Sequence, residues 1–529
     1  MERLAGNVML LWGVRRWALA FLAGGFAVLS LPPFNFFAVL FVSFPVLVWL
    51  LDGASGEADA GYLGRLKPAF WTGWWFGFGY FVAGLWWLGN ALLIEAEEFA
   101  WALPLAVLGL PALLALFYGL ATAFARALWS DGLGRICALA GGFGLAEWAR
   151  SLVATGFPWN AIGYGAMPVP MLMQTSLLIG VFGVSALVVF VACIPALIGT
   201  RRAMVPGLVV AALLMLFHAG FGYWRLSLAT DTQSGQPIVR IVQPSVDQSQ
   251  KWDDSQRARV FEKLLSLTSA IDPQASARPT YIVWPETSIP FLLTSNPDAL
   301  VLIGEALETG QTLIAGAVRE ERDVSGQRTR YYNSIYVIDH EGQILEASDK
   351  VHLVPFGEYL PFESLLGSLG MDIIANGPGG FSSGSTRKSV ALPAGKRFLP
   401  LICYEAIFPQ EVTPAAEDAD FIINVTNDAW YGNTPGPYQH FQQAQVRAVE
   451  NGLPLIRAAN NGLSAVTDGK GRVLDGLLQN VIGYVDVPLP VKIHVNGSIW
   501  TRMHTFWAII VILLSCALFS RCSFIKAAN

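Results

Sequence analysis

Three short segments of this sequence carry side chains that make chemical sense as a set. Tyr281-Ile-Val-Trp284-Pro285-Glu286 and Phe398-Leu-Pro-Leu-Ile-Cys403-Tyr404-Glu405 are apolar runs that end in a reactive group, and a strand near Ile344 is followed by Asp349-Lys350-Val-His352. This pattern predicts strands whose ends deliver a carboxylate, an amine and a thiol. Glu286 can take the thiol proton, Lys350 can stabilise first the thiolate and then the oxyanion of a tetrahedral intermediate, and Cys403 can form a thioester. No His, Cys, Asp or Glu spacing matches a metal site, and no cofactor is expected.

The elements that must position these groups lie in a chain of 529 residues that is 53% hydrophobic and only 14% charged. Soluble domains average about 25% charged, so the composition is that of a membrane protein. A net charge of −5 and the lack of any long Lys/Arg run exclude nucleic acid as a partner. The charge is uneven: 1–224 and 500–520 are mostly apolar, whereas 230–495 has ordinary soluble composition. The expected division is therefore a membrane domain over 1–229, a catalytic domain over 230–495, and a closing helix with its tail over 496–529.

Apolar segments near the roughly 20 residues that a bilayer requires lie at 11–31, 34–51, 69–93, 101–124, 136–155, 171–198, 205–224 and 500–519, which makes eight spans. The first lacks a small-residue cleavage site and reads as a retained helix. With eight spans, Arg3, Arg15, Arg16, Arg65, Lys67, Arg126, Arg135, Arg201, Arg202, Arg521 and Lys526 all fall on one side, and the alternate loops carry no Lys or Arg. The positive-inside rule then puts both termini in the cytoplasm and the catalytic domain outside, in a bacterium the periplasm. Cys137, Cys193 and Cys516 fall in spans and Cys522 in the tail, leaving Cys403 alone in the external domain. A solitary thiol in an oxidising compartment is a liability unless buried or used, and the Glu and Lys segments favour use.

Within 230–495, strands are expected at 239–243, 281–283, 312–318, 333–338, 398–402, 421–425 and 455–458, and helices at 255–271, 297–308 and 438–451. Asp468-Gly469-Lys470-Gly471 reads as a hairpin turn, and the Gly/Ser-rich 376–385 as a mobile loop. Strands interleaved with helices imply an α/β layered sandwich.

The order Glu, Lys, Cys in W-P-E, D-K and L-I-C-Y-E contexts resembles the nitrilase, or carbon–nitrogen hydrolase, superfamily. With the apolar segments included, the whole chain resembles the apolipoprotein N-acyltransferase family. The segments that carry this resemblance are Glu147-Trp-Ala-Arg150, Gly156-Phe-Pro-Trp159, Gln250-Lys-Trp252, Lys350-Val-His-Leu-Val-Pro-Phe-Gly-Glu358 and Asn427-Asp428-Ala-Trp430-Tyr431-Gly432. The resemblance implies a polytopic helical membrane domain joined to a nitrilase-like α-β-β-α sandwich, in the inner membrane, working as a monomer. It implies a two-step reaction among membrane lipids. An acyl chain passes from a phospholipid, typically phosphatidylethanolamine, to Cys403, and then to the α-amine of an S-diacylglyceryl-cysteine lipoprotein. By the same resemblance Glu286 is the base, Lys350 and the Tyr404 N–H hold the oxyanion, Glu358 positions or relays protons, and Glu405 is a supporting acid. Trp252 and Trp430 are the aromatics expected near the substrate.

A site at the bilayer surface avoids moving long acyl chains into water, at about 0.8 kcal/mol per methylene. Trp49, Trp86, Trp87, Trp159 and Trp500, at expected span ends, fit interfacial belts. Glu147 and Arg150 either pair with each other or meet a phospholipid headgroup, while His352 and His440 read as structural. Two other functions compete. A membrane-anchored amidase or nitrilase-type hydrolase would use the same triad with water as acceptor, but a soluble amide would not need the apolar front half. A transporter with an inactive nitrilase-like domain would need ionisable residues along its spans, and His218 is one of few.

Overall fold

The computed structural model describes residues 2–56, 59–199, 202–229, 235–248, 255–271, 277–322, 329–361, 380–495 and 499–528. Its contacts divide the chain into two units, one of Met1–Ala229, Thr434–Gln442 and Asn496–Asn529, the other of Thr230–Asn433 and Gln443–Val495.

The first unit is helical. Among the described residues, five helices are long and apolar enough to cross a membrane: Tyr62–Ile94, Ala96–Ala127, Ser176–Gly199, Met204–Ser227 and Thr501–Ser523. The other three apolar segments of the sequence are helical too, but fall short of that standard. Gly13–Ala27 has 15 residues and Leu40–Asp52 has 13, which at 1.5 Å per residue is about 20 Å against a hydrocarbon core of about 30 Å. Leu133–Arg150 is longer but carries Arg135, Glu147 and Arg150. Close helix contacts rely on glycine. A Cβ at Gly24 would strike the Phe76 carbonyl, and one at Gly79 the Phe21 carbonyl, so Gly13–Ala27 and Tyr62–Leu85 approach backbone to backbone.

The tryptophan belt needs correction. Trp49, Trp87 and Trp159 are buried. Their indole N–H groups are engaged inside the unit, Trp49 donating to the Ala196 carbonyl at 3.0 Å and both Trp87 and Trp159 to Gln439 Oε1 at 3.2 and 3.1 Å. Trp86 is exposed, as an interfacial residue would be. Glu147 and Arg150 take the pairing option and form an ion pair with each other. His440 packs on the Trp159 ring, and His218 bonds Thr175 and the Ala166 carbonyl.

The second unit is built on strands β1 (Ile238–Gln243), β2 (Tyr281–Trp284), β3 (Thr312–Arg322), β4 (Thr329–Asp339), β5 (Ile344–Asp349), β6 (Val390–Ala391), β7 (Arg397–Ile402), β8 (Phe421–Thr426), β9 (Leu455–Ala459), β10 (Ser464–Thr467), β11 (Val473–Leu477) and β12 (Gly483–Pro488). They form two six-stranded sheets, ordered β12-β1-β2-β3-β4-β5 and β11-β10-β9-β8-β7-β6. In each the central three strands run parallel, β1-β2-β3 and β7-β8-β9. Parallel strands covered on both faces read as continuous apolar runs, which is why these segments stand out in the sequence.

Side-chain alternation then sets the layers. Tyr281 and Val283 of β2 meet Phe398, Ile402, Phe421, Ile423 and Val425 of the other sheet in a shared core. The alternate residues Ile282 and Trp284 pack on Phe261, Leu264 and Ile303, from the helices Arg257–Ser269 and Pro297–Ala306. On the far side, Leu399, Leu401 and Ile422 pack on Val412, Ala444 and Ala448, from the helices Pro409–Ala415 and Gly436–Asn451. The order of layers is helix, sheet, sheet, helix.

Two local expectations change. β3 and β4 extend beyond the apolar residues into a charged antiparallel pair, where Arg319 lies over the Tyr332 ring and Arg322 pairs with Glu320. Of the Gly/Ser-rich segment, 376–379 lies outside the described residues. The rest is held by backbone bonds, from Phe381 N–H to the Glu358 carbonyl, from Ser382 to Tyr331 and from Gly384 to Lys350.

Candidate active site

Each reactive side chain of the second unit leaves the end of a strand. Glu286 stands two residues beyond β2, Lys350 and Cys403 are the first residues beyond β5 and β7, and the turn Asp428–Tyr431 follows β8. The ends of parallel strands are where open sheets place their ligands, because the chain must turn there and side chains escape the core. At Cys403 the turn is abrupt: its φ is +49°, left-handed for a residue with a Cβ, and Thr287 beside Glu286 has φ +40°. Such geometry costs of order 1–3 kcal/mol per residue and persists only where the surroundings impose it.

Two carboxylates and one ammonium meet here. Lys350 Nζ lies 2.8 Å from Glu358 Oε1 and 3.4 Å from Glu286 Oε1. The Asn333 amide donates to both, at 2.8 Å to Glu286 and 2.9 Å to Glu358, which fixes its orientation. Glu286 Oε2 accepts the Asn427 N–H at 2.9 Å, and Glu358 Oε2 the Val354 N–H at 2.8 Å. Burial opposes the Lys350 charge, but Glu358, Glu286 and Cys403 beside it outweigh that and hold its pKa above the ordinary value.

Cys403 is buried within the same charge cluster. Burial pushes its thiol up to about 12, Glu286 and Asp428 push the same way, and Lys350 and a hydrogen bond with Thr426 oppose them. The resting group is therefore a protonated thiol, and such a thiol acts as a nucleophile only where a base takes its proton. Glu286 lies in that cluster, where it accepts hydrogen bonds from the Asn333 amide, the Lys350 ammonium and the Asn427 N–H.

Glu405 acts at one remove. Its Oε2 accepts the Ile402 N–H at 2.7 Å, and its Oε1 accepts the Val351 and His352 N–H groups at 2.8 and 3.1 Å together with the Arg387 guanidinium. One buried carboxylate thus ties the residue before Cys403 to the residues after Lys350. Tyr404 is buried, its ring against Phe408 and His352. Trp430 stands partly exposed in the turn after β8, and Trp252 lies outside the described residues.

The structure thus gathers Glu286, Lys350, Glu358 and Cys403, with Glu405 beneath them. Sequence reasoning missed Asn333, Arg387 and Tyr431. Tyr431 hydrogen-bonds the Cys403 side chain. It belongs to a motif that the sequence does single out, whereas Asn333 had only its place at the head of an apolar run as a signal.

An α-β-β-α sandwich with these groups at its strand ends has the carbon–nitrogen hydrolase architecture, and residues 238–491 match the family described as Carbon-nitrogen hydrolase. Residues 23–194 match a second family, described as Apolipoprotein N-acyltransferase N-terminal domain. The apolipoprotein N-acyltransferase of Allorhizobium ampelinum is 57% identical over 529 residues, 100% of each chain, and that of Brucella suis biovar 1 is 58% identical over 517 residues, 97% of each. Among solved structures, a variant of the Nesterenkonia AN1 amidase from the nitrilase superfamily is 17% identical, covering 49% of this chain and 92% of its own at a TM-score of 0.36. The full-length relatives decide the matter: the chain belongs to the apolipoprotein N-acyltransferase family.

Proposed function

We propose that this chain transfers an acyl chain from a phospholipid of the phosphatidylethanolamine type, through a thioester on Cys403, to the N-terminal α-amine of an S-diacylglyceryl-cysteine lipoprotein. The observation that carries the reading is the Lys350 ammonium bracketed by Glu286 and Glu358 inside the Cys403 cluster. In the first step Glu286 takes the Sγ proton and Sγ attacks the ester carbonyl. Lys350 and the Tyr404 N–H meet the oxyanion, and the departing lysophospholipid alkoxide takes the proton back from Glu286. In the second step the α-amine attacks the thioester, its proton passes to Glu286, and the thiolate of Cys403 leaves and is reprotonated. Glu358 holds Lys350, Glu405 holds the two strand ends in register, and Trp252 and Trp430 border the substrates.

In this reading 1–229 is the membrane domain with seven spans, 230–495 the periplasmic catalytic domain, and 496–529 an eighth span with a cytoplasmic tail, both termini being cytoplasmic. The shorter helices Gly13–Ala27, Leu40–Asp52 and Leu133–Arg150 complete the eight, and the one-sided distribution of Arg and Lys supports the orientation. The protein acts as a monomer in the inner membrane. Incubating the purified chain and Cys403→Ala with phosphatidylethanolamine, and following intact mass, tests the reading. A hydroxylamine-labile acyl adduct is expected on the native chain alone, with transfer to a diacylglyceryl-cysteine peptide. An adduct lost only to water would make the protein a lipid hydrolase, and no adduct under any lipid condition would overturn the reading.

A further inference from the structure

Tyr431 ends the turn Asp428–Tyr431, and everything around that turn is fixed. The Asn427 N–H binds Glu286, and the Asn427 side chain is held by Gln248 at 2.6 Å and Asn460 at 3.0 Å. Asp428 receives Thr426 Oγ1 at 2.9 Å and Arg457 Nη2 at 2.8 Å. The phenol projects from this frame, mostly buried, and hydrogen-bonds the Cys403 side chain. Phenylalanine would fill nearly the same volume, so the hydroxyl matters for what it donates to.

We propose that Tyr431 is a further catalytic residue, its phenolic O–H donating to Cys403 Sγ and stabilising the thiolate while the thiol proton passes to Glu286. The inference rests on Cys403 being the nucleophile. A thiolate accepts a hydrogen bond far better than a thiol or a thioester sulfur does, so the donor favours the charged state over both neighbours along the reaction. It therefore assists attack in the first step and thiolate departure in the second. Burial, then Cys403, Asp428 and Glu286, hold the phenol pKa well above its ordinary value, so the group keeps its proton throughout.

The test uses the full chain and no lipid. Alkylation of Cys403 by iodoacetamide is followed by peptide mass across a range of pH for the native protein, for Tyr431→Phe, and for the chain carrying 3-fluorotyrosine at 431. In the reaction Sγ–C forms, iodide leaves, and the proton goes to Glu286 and on to water. A lost hydrogen bond to a charged group should raise the thiol pKa by about one pH unit, so Tyr431→Phe should react about tenfold more slowly at each pH. The fluorinated phenol has the same shape and is a stronger donor, so it should react faster than the native chain. Tyr431→Phe reacting as fast as the native chain, or faster, as a merely loosened pocket would, overturns the proposal. If Tyr431→Phe also lowers the unfolding midpoint, the fluorotyrosine chain decides, and a rate no higher than native overturns it. A native Cys403 that resists iodoacetamide defeats the nucleophile assignment itself, an outcome distinct from failure of the tyrosine.

Discussion

Glu147 with Arg150 in the helical unit, and Glu286 with Lys350 and Glu358 in the sandwich unit, are both buried clusters of carboxylate and cation, but they are balanced differently. In the helical unit one carboxylate meets one guanidinium, neither exposed. The remaining bonds go to fixed partners, with Tyr118 donating to Glu147 Oε1 at 2.6 Å and Arg150 donating to the Phe157 and Trp159 carbonyls. Such a cluster holds backbone in place and has no proton to spare. In the sandwich unit one ammonium serves two carboxylates beside a protonated thiol, on a backbone twisted into left-handed geometry at Cys403. That arrangement leaves one carboxylate more than there are ammonium groups, next to a thiol that carries its proton. Burial of charge alone does not mark function; an unbalanced cluster with a titratable neighbour does.

The largest expected effect comes from trying to turn the second cluster into the first. Arg150→Met alone leaves Glu147 uncompensated and should cost about 3–5 kcal/mol, whereas Glu147→Leu with Arg150→Met together should recover part of it, because both charges are gone. The analogous pair in the sandwich unit, Lys350→Met alone and with Glu358→Leu, should recover less in detergent unfolding, because Glu286 stays buried without its cation. Thioester formation should nonetheless fall about a thousandfold in both and recover in neither, because the oxyanion has lost its cation. Recovery of the adduct in the double variant would mean that the sandwich cluster is as structural as the helical one.

A smaller effect should appear at alkaline pH. The Cys403 pKa lies near 12 against an ordinary value near 9, burial being the first cause and Glu286 the second. Below about 9 the thiol is protonated whether the chain is folded or not. Above that the unfolded thiol releases its proton and the folded one does not, so stability falls as pH rises toward 12, by at most about 4 kcal/mol at 1.36 kcal/mol per pH unit. Cys403→Ala should flatten that decline. Glu286→Gln should move the onset of Cys403 alkylation to lower pH while abolishing turnover, since it removes a charge that raises the pKa and also removes the base. An alkylation profile that moves upward would show that Glu286 supports the thiolate rather than opposing it.

Glu286 and Cys403 were legible in the sequence because each follows an apolar run, and such runs are what strands covered on both faces require. Lys350 follows the edge strand β5, half of whose residues are exposed, and was legible only from its Asp-Lys context. Asn333 was not, because its task depends on register: β4 pairs with β5 so that the Lys350 N–H reaches the Asn333 carbonyl at 2.8 Å, a relation across strands with no local signature. Tyr431 was hidden beside Trp430, where the larger aromatic draws the assignment. In the helical unit apolarity was legible and depth was not. Trp49, Trp87 and Trp159 have the composition of rim residues, but the groups that bind them, the Ala196 carbonyl and Gln439, are remote in sequence. Helix length was equally hidden, since an apolar stretch such as 11–31 does not announce that its helix ends at Ala27.

The smallest effect lies at the edge of the reacting cluster. Arg387 binds Glu405 on one side and Glu411 Oε2 at 3.3 Å on the other, and Glu411 Oε1 also meets His352 Nδ1 at 2.7 Å. Burial pushes the Glu411 pKa up, but His352 and Arg387 outweigh it and the carboxyl sits below its ordinary range. A depressed carboxylate stabilises the fold above the ordinary carboxylate range and loses that contribution as pH falls through its lowered pKa. Glu411→Gln should therefore lower the unfolding midpoint slightly at neutral pH, by less than about 1 kcal/mol because Glu411 is partly solvated. The difference from the native chain should vanish in acid, with thioester formation nearly unchanged, since Glu405 still holds Arg387. A deficit that persists undiminished in acid, or an adduct lost on the scale of Lys350→Met, would move Glu411 from the scaffold into the reacting cluster. The boundary between balanced and unbalanced charge would then run outside Arg387 rather than at Glu405.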